Sequence, residues 1–230
     1  VWENFGALLA EYPHLGSICD QERLDPAIEI VCENRDPAFL NHERPCIFFA
    51  AHMGNVDLSA FAIQHFGYPI DVVYSPQSNA LVERAIQRRR GPLRCGYIGK
   101  ENALRNMYKT LKGGKSVGLH VDVRVEGGEG YPFFGVNAPT TVAPAWLAWK
   151  TGYDLVPVKT LRLGDARFRT TLYPALARPK TRDEREAIRT LTEDVNRMIE
   201  SLITATPGQW WCGKRRWEKP VMAARGLRSR

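Results

Sequence analysis

Apolar and polar positions recur along this chain with two periods, and the switches between them outline its elements. Trp2 to Glu11 carries Phe5, Leu8 and Leu9 on one side and stops at a Tyr-Pro pair, the pattern of a short amphipathic helix. Ile28 to Cys32 alternates apolar and charged residues as a half-buried strand does, whereas Cys46 to Ala51 is an unbroken apolar run suited to a strand covered on both faces. An amphipathic segment, Leu58 to Phe66, precedes Pro69 and a short strand at Ile70 to Tyr74. Asn79 to Arg90 places Val82, Ala85 and Ile86 at helical spacing with arginines on the far side. Tyr97-Ile98 is a brief strand, Ala103 to Leu111 a helix closed by Gly113-Gly114, and Ser116 to Val121 an apolar run ending in Asp122-Val123-Arg124. Val142 to Lys150 reads as a helix, and Leu155 to Leu161 and Phe168 to Tyr173 as strands. Asp183 to Ala205 is a long helix whose stripe of Ile188, Leu191, Val195, Ile199 and Leu202 is best explained as core. Strands alternating with helices at this spacing predict an α/β fold with a largely parallel central sheet flanked by helices, as one domain over residues 1–230.

In such a sheet, ligands gather beyond the carboxyl ends of the strands, where His52 and Asp122 both fall. His52 ends an apolar run, passes the Gly54-Asn55 break, and is followed by Asp57 at the start of the next helix. On one continuous helix, residues five apart would face about 140° away from each other. A turn removes that objection and lets the Asp57 carboxylate accept a hydrogen bond from one imidazole nitrogen while the other takes a proton. His52 and Asp57 are thus the candidate catalytic pair, a general base with its orienter. The plainer alternative is a satisfied strand-end histidine and an aspartate that merely favours a helix N-terminus.

Residues 125–141 follow neither period. Gly127, Gly128 and Gly130, then Pro132-Phe133-Phe134-Gly135 and Pro139-Thr140-Thr141, suggest a loop over a cleft, with aromatics plugging a core as the alternative. At 44% hydrophobic and 25% charged residues, the composition excludes a disordered chain. The net charge of +7 is partly clustered, at Arg84, Arg88, Arg89 and Arg90 and again at Lys214, Arg215, Arg216, Lys219, Arg225, Arg228 and Arg230. This suits an acidic protein, a phosphorylated substrate, an anionic membrane surface or nucleic acid, or a solvated face. Five cysteines without C-x-x-C spacing indicate neither a disulfide framework nor a zinc site. No apolar run approaches the roughly 18 residues of a spanning helix. The chain opens at Val1 without a methionine, and a membrane anchor ahead of it is an expectation of this reading.

The segment His52-Met53-Gly54-Asn55-Val56-Asp57 resembles the H-x4-D/E signature of glycerolipid acyltransferases, and in its H-x-G-N-x-E/D form the late acyltransferases of lipid A biosynthesis. Three further stretches match that family in order: Tyr74-Ser75-Pro76 with Arg88 to Arg90, Pro132 to Gly135 through Pro139 to Thr141, and Pro207 to Trp211 through Lys214 to Trp217. Ser75 stands where the family usually has an arginine, and Arg124 where it often has an aspartate.

The resemblance implies transfer of a fatty acyl group from an acyl carrier protein thioester to a glycolipid hydroxyl at the cytoplasmic face of a bacterial inner membrane. No cofactor is expected, no metal on the cysteine spacing, and no nucleic-acid partner, because no recognisable nucleic-acid motif occurs. His52 would deprotonate the acceptor directly, because there is no G-x-S-x-G elbow and Cys46 lies before the strand rather than at its end. The oxyanion would be met by backbone N–H groups near Gly54 and Asn55 and by one arginine, which the resemblance narrows to Arg89 or Arg90. Asp122 matches the first aspartate of the family's second acidic motif, implying that it orients that arginine or the acceptor; pairing with Arg124 is the alternative. Trp210, Trp211 and Trp217 beside basic residues have the composition of a membrane-interface anchor, or close the core under the last long helix. Phe133, Phe134 and Trp146 are guesses for the walls of an acyl slot. The alternatives are an acyltransferase using acyl-coenzyme A or another lipid acceptor, such as a phospholipid, a mannosylated phosphatidylinositol or an aminolipid; a hydrolase using Cys46 or a serine; and a basic binding protein without catalysis.

Overall fold

The computed structural model describes residues 2–224. Helix α1 (Trp2–Glu11) and a short α2 (Leu15–Ile18) lead into strand β1 (Ile28–Cys32), α3 (Pro37–Leu40), β2 (Cys46–Ala50), α4 (Leu58–His65) and β3 (Ile70–Tyr74). Then come α5 (Ala80–Arg89), β4 (Gly96–Gly99), α6 (Ala103–Lys112), β5 (Ser116–His120), the pair β6 (Gly130–Phe133) and β7 (Val136–Pro139), and α7 (Ala143–Thr151). The chain continues through β8 (Asp154–Gly164), β9 (Arg167–Leu172), α8 (Glu184–Ala205) and α9 (Lys219–Ala224).

Seven strands form one sheet in the order β1-β9-β8-β2-β5-β3-β4. Every neighbouring pair is parallel except β8 with β9, which are joined by a tight turn and run antiparallel. This is the predicted α/β architecture. All five residues of β2 are buried, as its unbroken apolar run requires at the middle of a sheet covered on both faces.

The two faces have different covers. On one, Ile47, Phe49, Val117, Leu119 and Leu155 pack with Met107 and Leu111 of α6, Leu147 of α7, and Leu191, Val195 and Ile199 of α8. The α8 stripe is therefore core, as its period predicts. On the other, Phe48, Ile70, Val156 and Val158 meet Phe39 of α3 and Ile63 of α4. That cover is less complete towards β3, and the gap is the site described below.

Residues 125–141 do not lie over that gap. They contain the β6–β7 hairpin, turned by Phe134-Gly135 with both residues at positive φ, as two-residue hairpins require. The hairpin is packed on α8, where Asn196 Nδ2 donates to Pro132 O at 2.8 Å and Phe134 N donates to Glu200 Oε1 at 2.8 Å. Phe133 is fully buried, Phe134 is exposed at the turn and Trp146 packs against the same core; none of the three guesses for an acyl wall lines the cavity described below. Arg216 is also fully buried: it donates to Pro139 O and Thr140 Oγ1 and lies 4.7 Å over the Phe133 ring. Burial lowers its pKa to about 10. This residue of the expected basic cluster therefore clamps the hairpin to the chain's last segment. Arg225, Arg228 and Arg230 of that cluster lie outside the described residues. Among the described residues no helix is long and apolar enough to cross a membrane.

Candidate active site

Strand register, rather than proximity in sequence, assembles the site. β2 and β5 are parallel neighbours with Ala50 opposite His120, so the segments leaving them bring His52 against Asp122. Asp122 Oδ1 accepts from His52 Nδ1 at 2.7 Å, and its Oδ2 accepts from the His52 backbone N–H at 3.0 Å and from Trp210 Nε1 at 2.8 Å. Burial would raise the carboxyl pKa, but the adjoining His52 charge and these hydrogen bonds outweigh it and hold Asp122 well below the usual carboxylate range. A permanent carboxylate on Nδ1 fixes the proton there and leaves Nε2 with its lone pair free to accept one.

The hydrogen bond expected between His52 and Asp57 is not formed. Asp57 Oδ2 accepts from Arg90 Nε at 3.1 Å, and its Oδ1 pairs with Arg90 Nη2 at 3.0 Å. Arg90 lies 4.8 Å over the Tyr74 ring and 5.4 Å over Tyr97, and its Nη2 reaches Tyr12 Oη at 3.3 Å. Burial works against its charge, but Asp57 and the tyrosines outweigh that and raise its pKa. Arg90, rather than Arg89, thus turns inward, while Arg84, Arg88 and Arg89 are exposed. Asp122 does not pair with Arg124, which pairs instead with Glu126 at 3.1 Å.

The loop between His52 and Asp57 is held from three sides. Gly54 has φ +53°, and a Cβ there would strike the Thr160 carbonyl, so this turn needs glycine. Its N–H donates to Gln209 O at 3.2 Å, which commits one of the expected oxyanion donors elsewhere. Asn55 is fully buried; its Oδ1 accepts from Asp57 N at 3.0 Å and its Nδ2 donates to Glu11 Oε2 at 2.8 Å, a structural role. The Pro207 to Trp211 stretch is the third support: Trp211 N donates to His52 O at 2.7 Å and Met53 bridges to Trp210. These two half-buried tryptophans brace the site instead of reaching outward as an anchor. Trp217 also turns inward, with Nε1 donating to Phe133 O at 3.2 Å.

His52 opens on a cavity of about 500 Å³, within the range of small-molecule pockets. Its walls are mostly apolar: Phe48, Val72, Ile70 and Val158 along the sheet, Ile63 from α4, and Leu8 from α1. Polar groups, His52, Asp57, Arg90, Tyr12, Tyr74, Tyr97 and His120, line it as well. Glu11 pins α1 over this space through Arg162, at 2.6 and 2.9 Å, and Arg162 also donates to Asn4 Oδ1 at 2.8 Å. Sequence reasoning missed His120 and the Glu11–Arg162 pair; the only sign of the first was its place two residues before Asp122 at a strand end. Cys46 sits at the opposite end of β2, with its thiol pushed up to about 12 by burial, which makes it a poor nucleophile.

Comparison with known proteins now bears on what this arrangement does. Residues 1–219 match the model of the bacterial lipid A biosynthesis acyltransferase family. The chain belongs to that family. No curated protein sequence matches it. Among solved structures it is similar to the 1-acyl-sn-glycerophosphate (LPA) acyltransferase PlsC from Thermotoga maritima, with 15% identity over 91% of this chain and 88% of that one and a TM-score of 0.48. The family match carries the assignment of a lipid acyltransferase, and its structure holds a carboxylate-bonded imidazole at a mostly apolar cavity.

Proposed function

We propose that this acyltransferase moves a fatty acyl chain from an acyl carrier protein thioester to a hydroxyl of a lipid A precursor or related glycolipid, with His52 as general base and Asp122 as its orienter. The observation that carries the reading is His52, bonded through Nδ1 to a buried carboxylate, at the opening of a mostly apolar cavity. The acyl chain lies in that cavity with its thioester carbon beside His52 Nε2. His52 takes the proton of the acceptor hydroxyl as the oxygen attacks, and returns it to the departing thiol. Asp57 holds Arg90 against the tyrosine wall, which places a cation near the reacting groups. The exposed Arg84, Arg88 and Arg89 suit an acidic carrier protein and an anionic membrane, at the cytoplasmic face of the inner membrane.

The test offers the purified protein carrier-bound and coenzyme A-bound donors of one chain length with a lipid A precursor, a phospholipid and a mannosylated phosphatidylinositol as acceptors. The expected result is transfer to the lipid A precursor, with kcat/KM at least tenfold higher from the carrier. His52→Ala should lower kcat by about 10²–10⁴-fold while sparing the fold. Full activity in that variant would refute the base assignment, and preference for coenzyme A or another acceptor would overturn the corresponding part of the substrate reading.

A further inference from the structure

The oxyanion of the tetrahedral intermediate needs hydrogen-bond donors aimed at it, and two of the donors expected from the sequence are wholly or partly committed elsewhere. Gly54 N–H is bound to Gln209 O, and Arg90 Nε and Nη2 are held by Asp57. Arg90 Nη1 has no partner among the described residues, but the guanidinium is held over the Tyr74 and Tyr97 rings. Beside His52 itself stands His120, the last residue of β5. The two rings stack with centroids 4.3 Å apart and planes at 30°. His120 lines the cavity, and its Nε2 is buried without a hydrogen-bond partner among the described residues. An imidazole left unpaired at such a place lacks the satisfaction that buried polar groups ordinarily find.

We propose that His120 is a second catalytic imidazole, which donates a hydrogen bond to the thioester carbonyl oxygen as that oxygen becomes the oxyanion. The inference rests on His52 being the base. As the acceptor hydroxyl loses its proton to His52 Nε2, its oxygen bonds to the thioester carbon, and the carbonyl π pair moves onto the oxygen facing His120. Collapse of this intermediate re-forms the carbonyl and breaks the C–S bond, and the thiolate leaves with the proton from His52. His120 lends an N–H throughout and never transfers it. Burial, reinforced by the nearby His52 charge, holds its pKa down to about 3, so the ring stays a neutral donor even while His52 is charged. Because Nε2 is committed to no described protein acceptor, it can carry the proton that faces the substrate oxygen. A strand-end position on the rigid middle of the sheet fixes the donor in advance, which is what oxyanion stabilisation requires.

The test compares His120→Gln, which keeps an N–H donor, with His120→Met, which has a similar shape and none. His120→Met should lower kcat by about 10²-fold with KM for the acyl donor changed less than about threefold, and His120→Gln should regain about tenfold of that loss. A thioether analogue of the donor, lacking the carbonyl, should bind both variants and the parent protein equally. Infrared spectra of a carbonyl-labelled thioester bound to the His52→Ala protein should show a lowered stretching frequency that His120→Met abolishes. Equal loss in the Gln and Met variants would assign His120 a packing role, and unchanged kcat in both would leave the task to Arg90; either overturns the inference. An active His52→Ala protein would instead refute the base assignment, a separate failure.

Discussion

Asp57 lines the cavity and Asp122 stands behind the imidazole that opens on it, and their partners divide their tasks. Asp122 is joined to the imidazole, so Asp122→Asn should permit the wrong tautomer and lower kcat by about 10²–10⁴-fold, with chemical denaturation little changed. Asp57→Ala leaves the inward guanidinium of Arg90 without its carboxylate and should destabilise the fold by about 3–5 kcal/mol in the same denaturation measurement. The opposite pattern, in which position 57 moves only kcat and position 122 only stability, would exchange the two assignments. His52 was legible from its place at a strand end before a glycine turn. Its partner was not, because a carboxylate five residues away looks nearer than one seventy residues away until the register of β2 and β5 is known.

Where an acyl chain fits is a property of elements. Phe48 of β2, Gly118 of β5 and Val72 of β3 stand opposite one another on the cavity side of the sheet. Gly118 lies two residues before His120, or about 6–7 Å further from the strand end. A Cβ on Gly118 would already come within 3.0 Å of Ile70 Cδ1 and 3.1 Å of Val72 Cγ1, so its absence contributes space. Gly118→Val should shift donor preference to shorter chains, since each methylene kept out of the slot forfeits about 0.8 kcal/mol, or about fourfold in apparent affinity. Competition between donors of graded length checks this; an unchanged preference would place the chain elsewhere. The strands were read within a few residues because apolar runs and alternation are local signals. The hairpin at 130–139 was not, because glycine, proline and aromatics mark irregular backbone without saying which face it covers.

At the scale of the whole molecule, charge is sorted between inside and outside. Arg90 and Arg216 serve the site and the core, while Arg84, Arg88 and Arg89 stay in solvent on α5, the helix whose Val82 and Ile86 line the cavity. With a net charge of +7, encounter with an acidic carrier should be steered, and kcat/KM for the carrier-bound donor should fall steeply as salt is raised. Reversing Arg88 and Arg89 to glutamate should lower that constant by about tenfold, chiefly through association, with kcat preserved. Stopped-flow binding at several ionic strengths measures it; a salt-independent rate would remove the carrier from this face.

The sequence by itself determined the elements, the parallel α/β sheet, the strand-end histidine and the family, because hydropathy period, turn residues and motif order are written locally along the chain. Tertiary structure alone decided that Asp122 rather than Asp57 bonds His52, that Arg90 turns inward while Arg89 does not, and that two tryptophans brace the loop from His52 to Asp57. It also stacked His120 against His52 and left a cavity beside them. These depend on which strands are neighbours and which face each helix covers, relations between distant residues that are fixed only when the sheet closes and its two sides are packed.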